Sequence, residues 1–275
     1  MNNGRGVNNR RHPPKWLILL LSILLLVIVT VIFLGIGYVR DYYHADPAAF
    51  GYLENGAALP EDVEVSSLAE HGITEAEGLY FDGPGDRDAL VFYPGAKVEY
   101  TAYAPLLGQI AEEGLDCFLI KMPLNLAFTG REAAAYVMNS EEFMDRYEGW
   151  YVGGHSLGGA MAGDWAGANL QDESLKGVIF LAAYPTRDLT RDDFRVLTIY
   201  GDSDGVLQVD KVESGQQYLP EDHKTIVIEG GNHAQFADYG RQQGDGEATI
   251  PRQEQQAQTA EDILEYVYPA GREDE

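Results

Sequence analysis

The sequence predicts an α/β fold in which a mainly parallel, doubly wound sheet carries helices on both faces. Two observations lead to this fold class. Short runs rich in β-branched and aromatic residues alternate with helical patterns, and the later runs are apolar almost throughout. Strands of parallel sheets have this composition because helices cover both of their faces. The chain has 275 residues, 45% of them hydrophobic, and is long enough to bury one such core.

The predicted strands and helices follow one another in the order that such a sheet requires. Turn-forming residues such as Gly, Pro and Asp bound most of the strand-like runs. Strands are predicted at 62–68, 78–83, 89–95, 116–123, 149–154, 176–185, 195–202 and 224–231. Helices are predicted at 100–113, 131–146, 157–169, 207–218 and 254–268.

The first sixty residues differ in character from the rest of the chain. Residues 16–39 form an apolar run that is long enough to cross a bilayer as a transmembrane signal-anchor helix. A cleaved signal peptide is the alternative, with Gly35-x-Gly37 as its cleavage pattern, but the apolar region of such peptides spans only about 7–15 residues. Residues 40–60 have turn formers and no clear period, which predicts a linker before a folded domain at 61–275.

The charges on either side of the apolar run predict its orientation. Residues 1–15 form a tail with four basic side chains, whereas Arg40 is the one basic residue close after the run. Basic residues next to a membrane helix are retained on the cytoplasmic side. The sequence therefore predicts a single-pass membrane protein with a cytoplasmic tail at residues 1–15 and an extracytoplasmic folded domain.

The composition also excludes some classes of function. The first forty residues contain five basic and no acidic side chains, so the net charge of −25 becomes −30 for residues 41–275. A surface this acidic repels phosphate backbones, and we expect no nucleic-acid partner. Cys117 is the only cysteine, which rules out an intramolecular disulfide. It lies in the apolar run CFLIKM and is predicted to be a buried core thiol.

One short motif carries the strongest chemical signal. The segment YVGGHSLGGAMA contains Gly-x-Ser-x-Gly at residues 154–158, directly after a predicted strand. A serine in this position, here Ser156, lies on a tight strand-to-helix turn that projects its hydroxyl, and the flanking glycines remove clashing Cβ atoms. The helix that follows directs the Leu157 N–H at an oxyanion formed on a carbon that Ser156 attacks.

A serine hydroxyl needs a base and an orienting acid before it acts as a nucleophile at neutral pH. The segment KTIVIEGGNHAQF places His233 beyond one predicted strand, and RVLTIYGDSDG places Asp202 and Asp204 beyond another. Functional groups of parallel sheets gather at this edge, so these side chains can meet. Asp204 is the preferred acid because it lies two residues further from the strand end, while Asp202 stays open as an alternative that caps the turn.

On these residues the chain from 61 to 275 resembles a compact α/β-hydrolase, similar to small bacterial esterase-like members. The resemblance rests on the 154–158 motif, on Gly-x-x-Asp and Gly-x-x-His after two strands, and on the segment YPGAKV at 93–98. It implies Ser156 as nucleophile, His233 as general base and Asp204 as the acid that orients the base.

The same resemblance implies an oxyanion site. The segment Tyr-Pro-Gly at 93–95 stands where many relatives have His-Gly, so the backbone N–H of Ala96 is the expected donor beside that of Leu157. Lys97 remains the alternative to Ala96. No metal or organic cofactor is implied by the resemblance.

The predicted function is that of a serine hydrolase of the carboxylesterase, lipase or thioesterase type, which cleaves an ester-like acyl bond through an acyl-enzyme on Ser156. Its substrate is expected to be a small-molecule or lipid-like acyl compound. An acyltransferase with the same triad and a catalytically inactive, membrane-tethered binding module are the alternatives.

Two loops bear on this prediction. The connection at 186–194 is too short for a large lid domain, so an open site is expected, although the segment 234–256 could cover it in part. Asp245 and Glu247 in that segment do not follow the EF-hand spacing of a calcium site. They are predicted to lie in an acidic surface loop.

Overall fold

The computed structural model describes residues 14–53 and 56–269. The chain divides into two compact units, Met1–Asp41 and Tyr42–Glu275. In the smaller unit, helix α1 (Lys15–Arg40) reaches a mean hydropathy of 3.5 over 18 residues. Among the described residues, it is the one helix that is long and apolar enough to cross a membrane. A signal sequence meets the same criterion, so the membrane anchor stays a prediction. All but the last two residues of the predicted basic tail lie outside the described residues.

The larger unit is built on one eight-stranded sheet. Its strands are β1 (Glu64–Ser67), β2 (Glu77–Asp82), β3 (Asp88–Tyr93), β4 (Asp116–Lys121), β5 (Gly149–His155), β6 (Leu175–Leu181), β7 (Arg195–Gly201) and β8 (His223–Ile228). They lie in the order β1-β2-β4-β3-β5-β6-β7-β8. Strand β2 is antiparallel to β1 and β4, whereas all other neighbours are parallel. Each of these strands overlaps a predicted one.

Helices cover both faces of the sheet. They are α2 (Ala104–Glu112), α3 (Ala133–Met138), α4 (Leu157–Ala168), α5 (Val209–Gly215) and α6 (Arg252–Val267). Alternate side chains of β3 point to opposite faces, so that Leu90 and Phe92 join a core cluster with α2 and α6, while Val91 and Tyr93 join one with α3 and α4. The predicted mainly parallel, doubly wound sheet with helices on both faces is thereby confirmed.

The prediction of a helix over 131–146 is wrong for most of that range, because α3 ends at Met138. Two polar side chains end it. Asn139 Nδ2 donates to the Ala135 carbonyl at 2.8 Å, and Ser140 Oγ donates to the Val137 carbonyl at 2.8 Å. Side chains that hydrogen-bond to nearby backbone groups compete with the helical ladder, which accounts for the early end.

The sequence predicts a linker over 40–60, but the chain joins the larger unit from Tyr42 onward. Residues Pro47–Tyr52 form a 3-10 helix with a buried alanine that belongs to the same core cluster as α2. Asp46, just before this helix, forms an ion pair of 2.7 Å with Arg252 at the start of α6. The sequence shows no period here because a helix this short completes too few turns to display one.

The parallel strands end at one edge of the sheet, and this edge carries the residues singled out by the sequence. Ser156 directly follows β5, while Asp204 and His233 lie in the loops after β7 and β8. Residues 182–194, between β6 and β7, form bends and turns without a helix, so no lid domain is inserted there.

Candidate active site

Ser156 lies in the turn between β5 and α4. Its backbone has φ of 54° and ψ of −122°, a conformation that residues other than glycine adopt only under strain. The neighbouring glycines make the turn possible, because a Cβ at Gly154 or Gly158 would overlap the carbonyl oxygen of Tyr93 at the end of β3. The strand, strained serine and following helix have the arrangement of a nucleophile elbow.

His233 and Asp204 face each other through a buried hydrogen bond. His233 Nδ1 lies 2.8 Å from Asp204 Oδ2, and each side chain is only 1% exposed. The other carboxylate oxygen, Oδ1, accepts hydrogen bonds from the N–H groups of Val206 and Leu207 at 2.8 and 2.7 Å. Because an ionised carboxylate can only accept, the His233 proton lies on Nδ1, and Nε2 carries the lone pair.

Asp202, the alternative acid, has other partners. Its Oδ1 accepts hydrogen bonds from the Gly230 N–H at 2.9 Å and from the Ser203 hydroxyl at 3.0 Å, and its side chain is exposed. These contacts connect the turns after β7 and β8. The structure thus places Asp204, and not Asp202, against His233.

Ser156 and His233 line the same small cavity, which has a volume of about 250 Å³. Residues that follow β6 and β7, among them Ala182 and Leu207, form other walls, and none comes from the segment 234–256. The His233 Nε2 atom is buried and has no hydrogen-bond partner among the described residues. Ser156 Oγ is therefore not hydrogen-bonded to Nε2 in this structure, although both residues line one cavity, and proton transfer requires the two atoms to approach.

The two backbone amides predicted to bind an oxyanion differ from Lys97 in their hydrogen bonding. Leu157 is the first residue of α4, so its N–H has no partner within the helix. Lys97 has a positive φ of 59°, and its N–H donates to the Asn125 carbonyl at 2.7 Å. Among the described residues, no backbone hydrogen bond uses the Ala96 N–H. Ala96 therefore remains the candidate for the second donor.

Asp245 joins the loops after β7 and β8. Its Oδ1 accepts the N–H of Gly205 at 3.1 Å and that of His233 at 3.2 Å, and its Oδ2 accepts the N–H of Ala234 at 2.8 Å. The predicted surface position fits Glu247, whose side chain is 83% exposed, but not Asp245, which is bound between loops. No sequence pattern marks it, because one of its partners lies 40 residues away.

A second serine, histidine and carboxylate are hydrogen-bonded in series elsewhere in the larger unit. His71 Nε2 lies 2.8 Å from Ser66 Oγ, and His71 Nδ1 lies 2.8 Å from Glu142 Oε1. Ser66 belongs to β1 and pairs with Tyr80 of β2, so its backbone is extended. Ser66 follows no strained turn and precedes no α-helix N-terminus. It therefore serves as an internal control for the reactivity of Ser156.

Within the described part of the chain, no group of three or more His, Cys, Asp or Glu side chains is placed to hold a metal ion. Cys117 is fully buried in the core, as predicted. Burial raises the pKa of its thiol well above the usual value, and the adjacent Asp116 raises it further. The thiol is therefore not available as a nucleophile.

Known structures share this architecture. Carboxyl esterase 2 from the mycorrhizal fungus Tuber melanosporum superposes with a TM-score of 0.56 at 11% identity, over 81% of this chain and 89% of that one. Naproxen esterase from Bacillus subtilis gives 0.53 at 12% identity, over 80% and 94%. Dienelactone hydrolase from Anabaena variabilis gives 0.53 at 14% identity, over 74% and 97%. At such identities the likeness shows a common fold.

The sequence itself provides the family assignment. No curated protein matches the chain. The Alpha/beta hydrolase family matches residues 89–257, which is more than half of the chain and includes the elbow and both loops. With the order of the eight strands described above, this match shows that the chain belongs to the α/β-hydrolase family.

Proposed function

We propose that this protein is a serine hydrolase that cleaves an ester-like acyl bond through an acyl-enzyme on Ser156. One observation carries the proposal: the strained Ser156 shares a cavity with His233, whose Nδ1 is bound to the buried Asp204 and whose buried Nε2 has no described partner. A serine, a base with an unpartnered ring nitrogen and an acid bound to the other ring nitrogen are the parts that acyl transfer needs.

The proposed reaction begins when Ser156 Oγ bonds to the acyl carbon and His233 Nε2 takes the hydroxyl proton. The carbonyl oxygen becomes an oxyanion, which the N–H groups of Leu157 and Ala96 stabilise. As the bond to the leaving group breaks, His233 returns the proton to that group. Water then attacks the acyl-enzyme, with His233 again as base, and Ser156 regains its proton when the acid is released.

The cavity supports a small acyl substrate. A volume of about 250 Å³ is close to the lower end of ligand pockets, and walls that include Ala182, Val206 and Leu207 are apolar. The similar structures include a carboxyl esterase, a naproxen esterase and a dienelactone hydrolase, which fits an ester or lactone as substrate. We expect short-chain esters to react faster than long-chain ones.

We further propose that residues 16–39 anchor the protein in a membrane, with 1–15 in the cytoplasm and the catalytic unit outside. The length and hydropathy of α1 support the span. The excess of basic residues before it supports the orientation. The substrate would then be an extracytoplasmic acyl compound.

Hydrolysis of p-nitrophenyl acetate by the purified protein tests the reaction. We expect His233→Ala to lower kcat by at least about 10³-fold, in line with the losses seen when triads are dismantled. His71→Ala is the control, because His71 has the same kind of partners away from the cavity. Equal activity in the two variants would contradict the proposal.

A further inference from the structure

A buried chain of hydrogen bonds runs beneath the candidate site. The Gly95 N–H donates to Tyr103 Oη at 2.9 Å, and Tyr103 Oη lies 2.8 Å from His155 Nδ1. Tyr103 is fully buried, and His155 is 1% exposed. Gly95 precedes the candidate oxyanion donor Ala96, and His155 precedes Ser156. These hydrogen bonds therefore connect residues 95–99, which we call the oxyanion turn, to the nucleophile elbow at Ser156.

Glycine is required at position 95 for this contact. A Cβ there would lie 2.9 Å from both the Tyr103 hydroxyl and His155 Nδ1, and the hydrogen-bonded side chains leave no room for it. The backbone of the oxyanion turn thus runs directly against the tyrosine and the histidine. Its position depends on where these two side chains lie.

The hydrogen bonds favour one arrangement of the protons, although His155 Nε2 is buried without a partner among the described residues. Tyr103 Oη accepts from the Gly95 N–H, and its own proton has one acceptor among the described residues, His155 Nδ1. His155 is then the neutral Nε2–H tautomer. Burial raises the pKa of the Tyr103 hydroxyl and lowers the pKa of His155 well below its usual value, a lowering to which the neighbouring His233 adds. Both groups stay uncharged.

His155 is also packed against the candidate base. The ring centroids of His155 and His233 are 4.4 Å apart, and those of His155 and Phe236 are 5.6 Å apart. In the proposed reaction His233 becomes positively charged. A neutral His155 adds no second positive charge beside His233. The Asp204 carboxylate, which is bound to His233 Nδ1, balances the positive charge that forms on His233.

We propose that Tyr103 and His155 are positioning residues for this site, a role that rests on the proposed function. Tyr103 holds the oxyanion turn through Gly95 and at the same time fixes His155 as the neutral Nε2–H tautomer beside His233. Neither residue lines the cavity that Ser156 and His233 share. Their loss should therefore slow the chemical step while the cavity that binds substrate stays intact.

The test compares two tyrosines in the full-length protein. Tyr103→Phe removes the hydroxyl of the proposed chain, and Tyr266→Phe removes the hydroxyl of a buried α6 side chain that donates to the Asp222 carbonyl at 3.0 Å and does not line the cavity. The readout is the second-order rate at which a fluorophosphonate probe labels Ser156. We expect Tyr103→Phe to slow labelling by about tenfold or more, less than the loss of a whole oxyanion donor. Tyr266→Phe should change it by less than about twofold.

A spectroscopic measurement keeps the proposal testable even if Tyr103→Phe folds poorly. The ¹⁵N chemical shifts of histidine-labelled wild-type protein distinguish the tautomers, and we expect His155 as Nε2–H. Equal labelling rates in both variants, or an Nδ1–H tautomer of His155, would overturn the positioning role alone. A wild-type protein that is not labelled at all would overturn the proposed function and, with it, this role.

Discussion

At the residue scale, the two aspartates after β7 differ in what they hold. Asp204 bonds to His233 at 2.8 Å, whereas Asp202 bonds to the turn at Gly230. We predict that Asp204→Asn lowers kcat for p-nitrophenyl acetate by about 10³ to 10⁴-fold, because an amide NH₂ facing Nδ1 favours the wrong His233 tautomer. Asp202→Asn should lower it by less than about tenfold. The reverse ranking would move the orienting role to Asp202.

Asp245 provides a second test at this scale. Its carboxylate accepts backbone N–H groups from both loops, and a buried N–H left without a partner costs about 1–3 kcal/mol. We predict that Asp245→Ala lowers both Tm and kcat, as the loops of Asp204 and His233 lose their shared acceptor. Glu247→Ala is the control, since Glu247 pairs only at the surface with Arg241. Thermal melts and kinetics that do not distinguish the two variants would contradict this role.

At the level of helices and strands, the sequence predicts those features that depend on local residue pattern and on the order of elements along the chain. The later strands are predictable because their apolar runs are nearly continuous, and Ser156, Asp204 and His233 are candidates because each follows a predicted strand at a turn. The end of α3 could not be predicted, since it depends on how Asn139 and Ser140 bond to nearby carbonyls. The role of Asp245 has no local signal either, because its partner Gly205 lies 40 residues away in the loop after β7.

Residues 42–60 belong to the larger unit and should stabilise it. Tyr43 pairs with the oxyanion turn, since its N–H donates to the Lys97 carbonyl at 2.7 Å and its carbonyl accepts the Glu99 N–H at 2.9 Å. Asp46 adds the ion pair with Arg252. We predict that a protein beginning at residue 61 melts at least about 5 °C below one beginning at residue 42, because 1 kcal/mol corresponds to roughly 2–4 °C in a unit of this size.

Differential scanning calorimetry of the two truncated proteins measures this difference. The protein beginning at residue 42 is the control, because it keeps the whole larger unit. Equal melting temperatures would mean that residues 42–60 contribute no stability, as expected of a free linker.

At the scale of the whole molecule, the prediction concerns the membrane. Four basic residues precede the apolar run, and the chain after residue 40 has a net charge of −30. We predict that protease added to intact cells or spheroplasts digests the catalytic unit, because the basic tail stays in the cytoplasm. An antibody against the C-terminal half follows the digestion, with a cytoplasmic protein as control. Protection until the membrane is lysed would reverse the orientation.

The intact mass of the full-length protein after reaction with a fluorophosphonate probe shows whether Ser156 is the nucleophile. We expect one adduct on the wild type and on Ser66→Ala, whose serine has a hydrogen-bonded histidine but no strained turn. We expect no adduct on Ser156→Ala, because that variant lacks the hydroxyl at the elbow. Labelling of Ser156→Ala to the same extent as the wild type would contradict the assignment of Ser156 as the nucleophile.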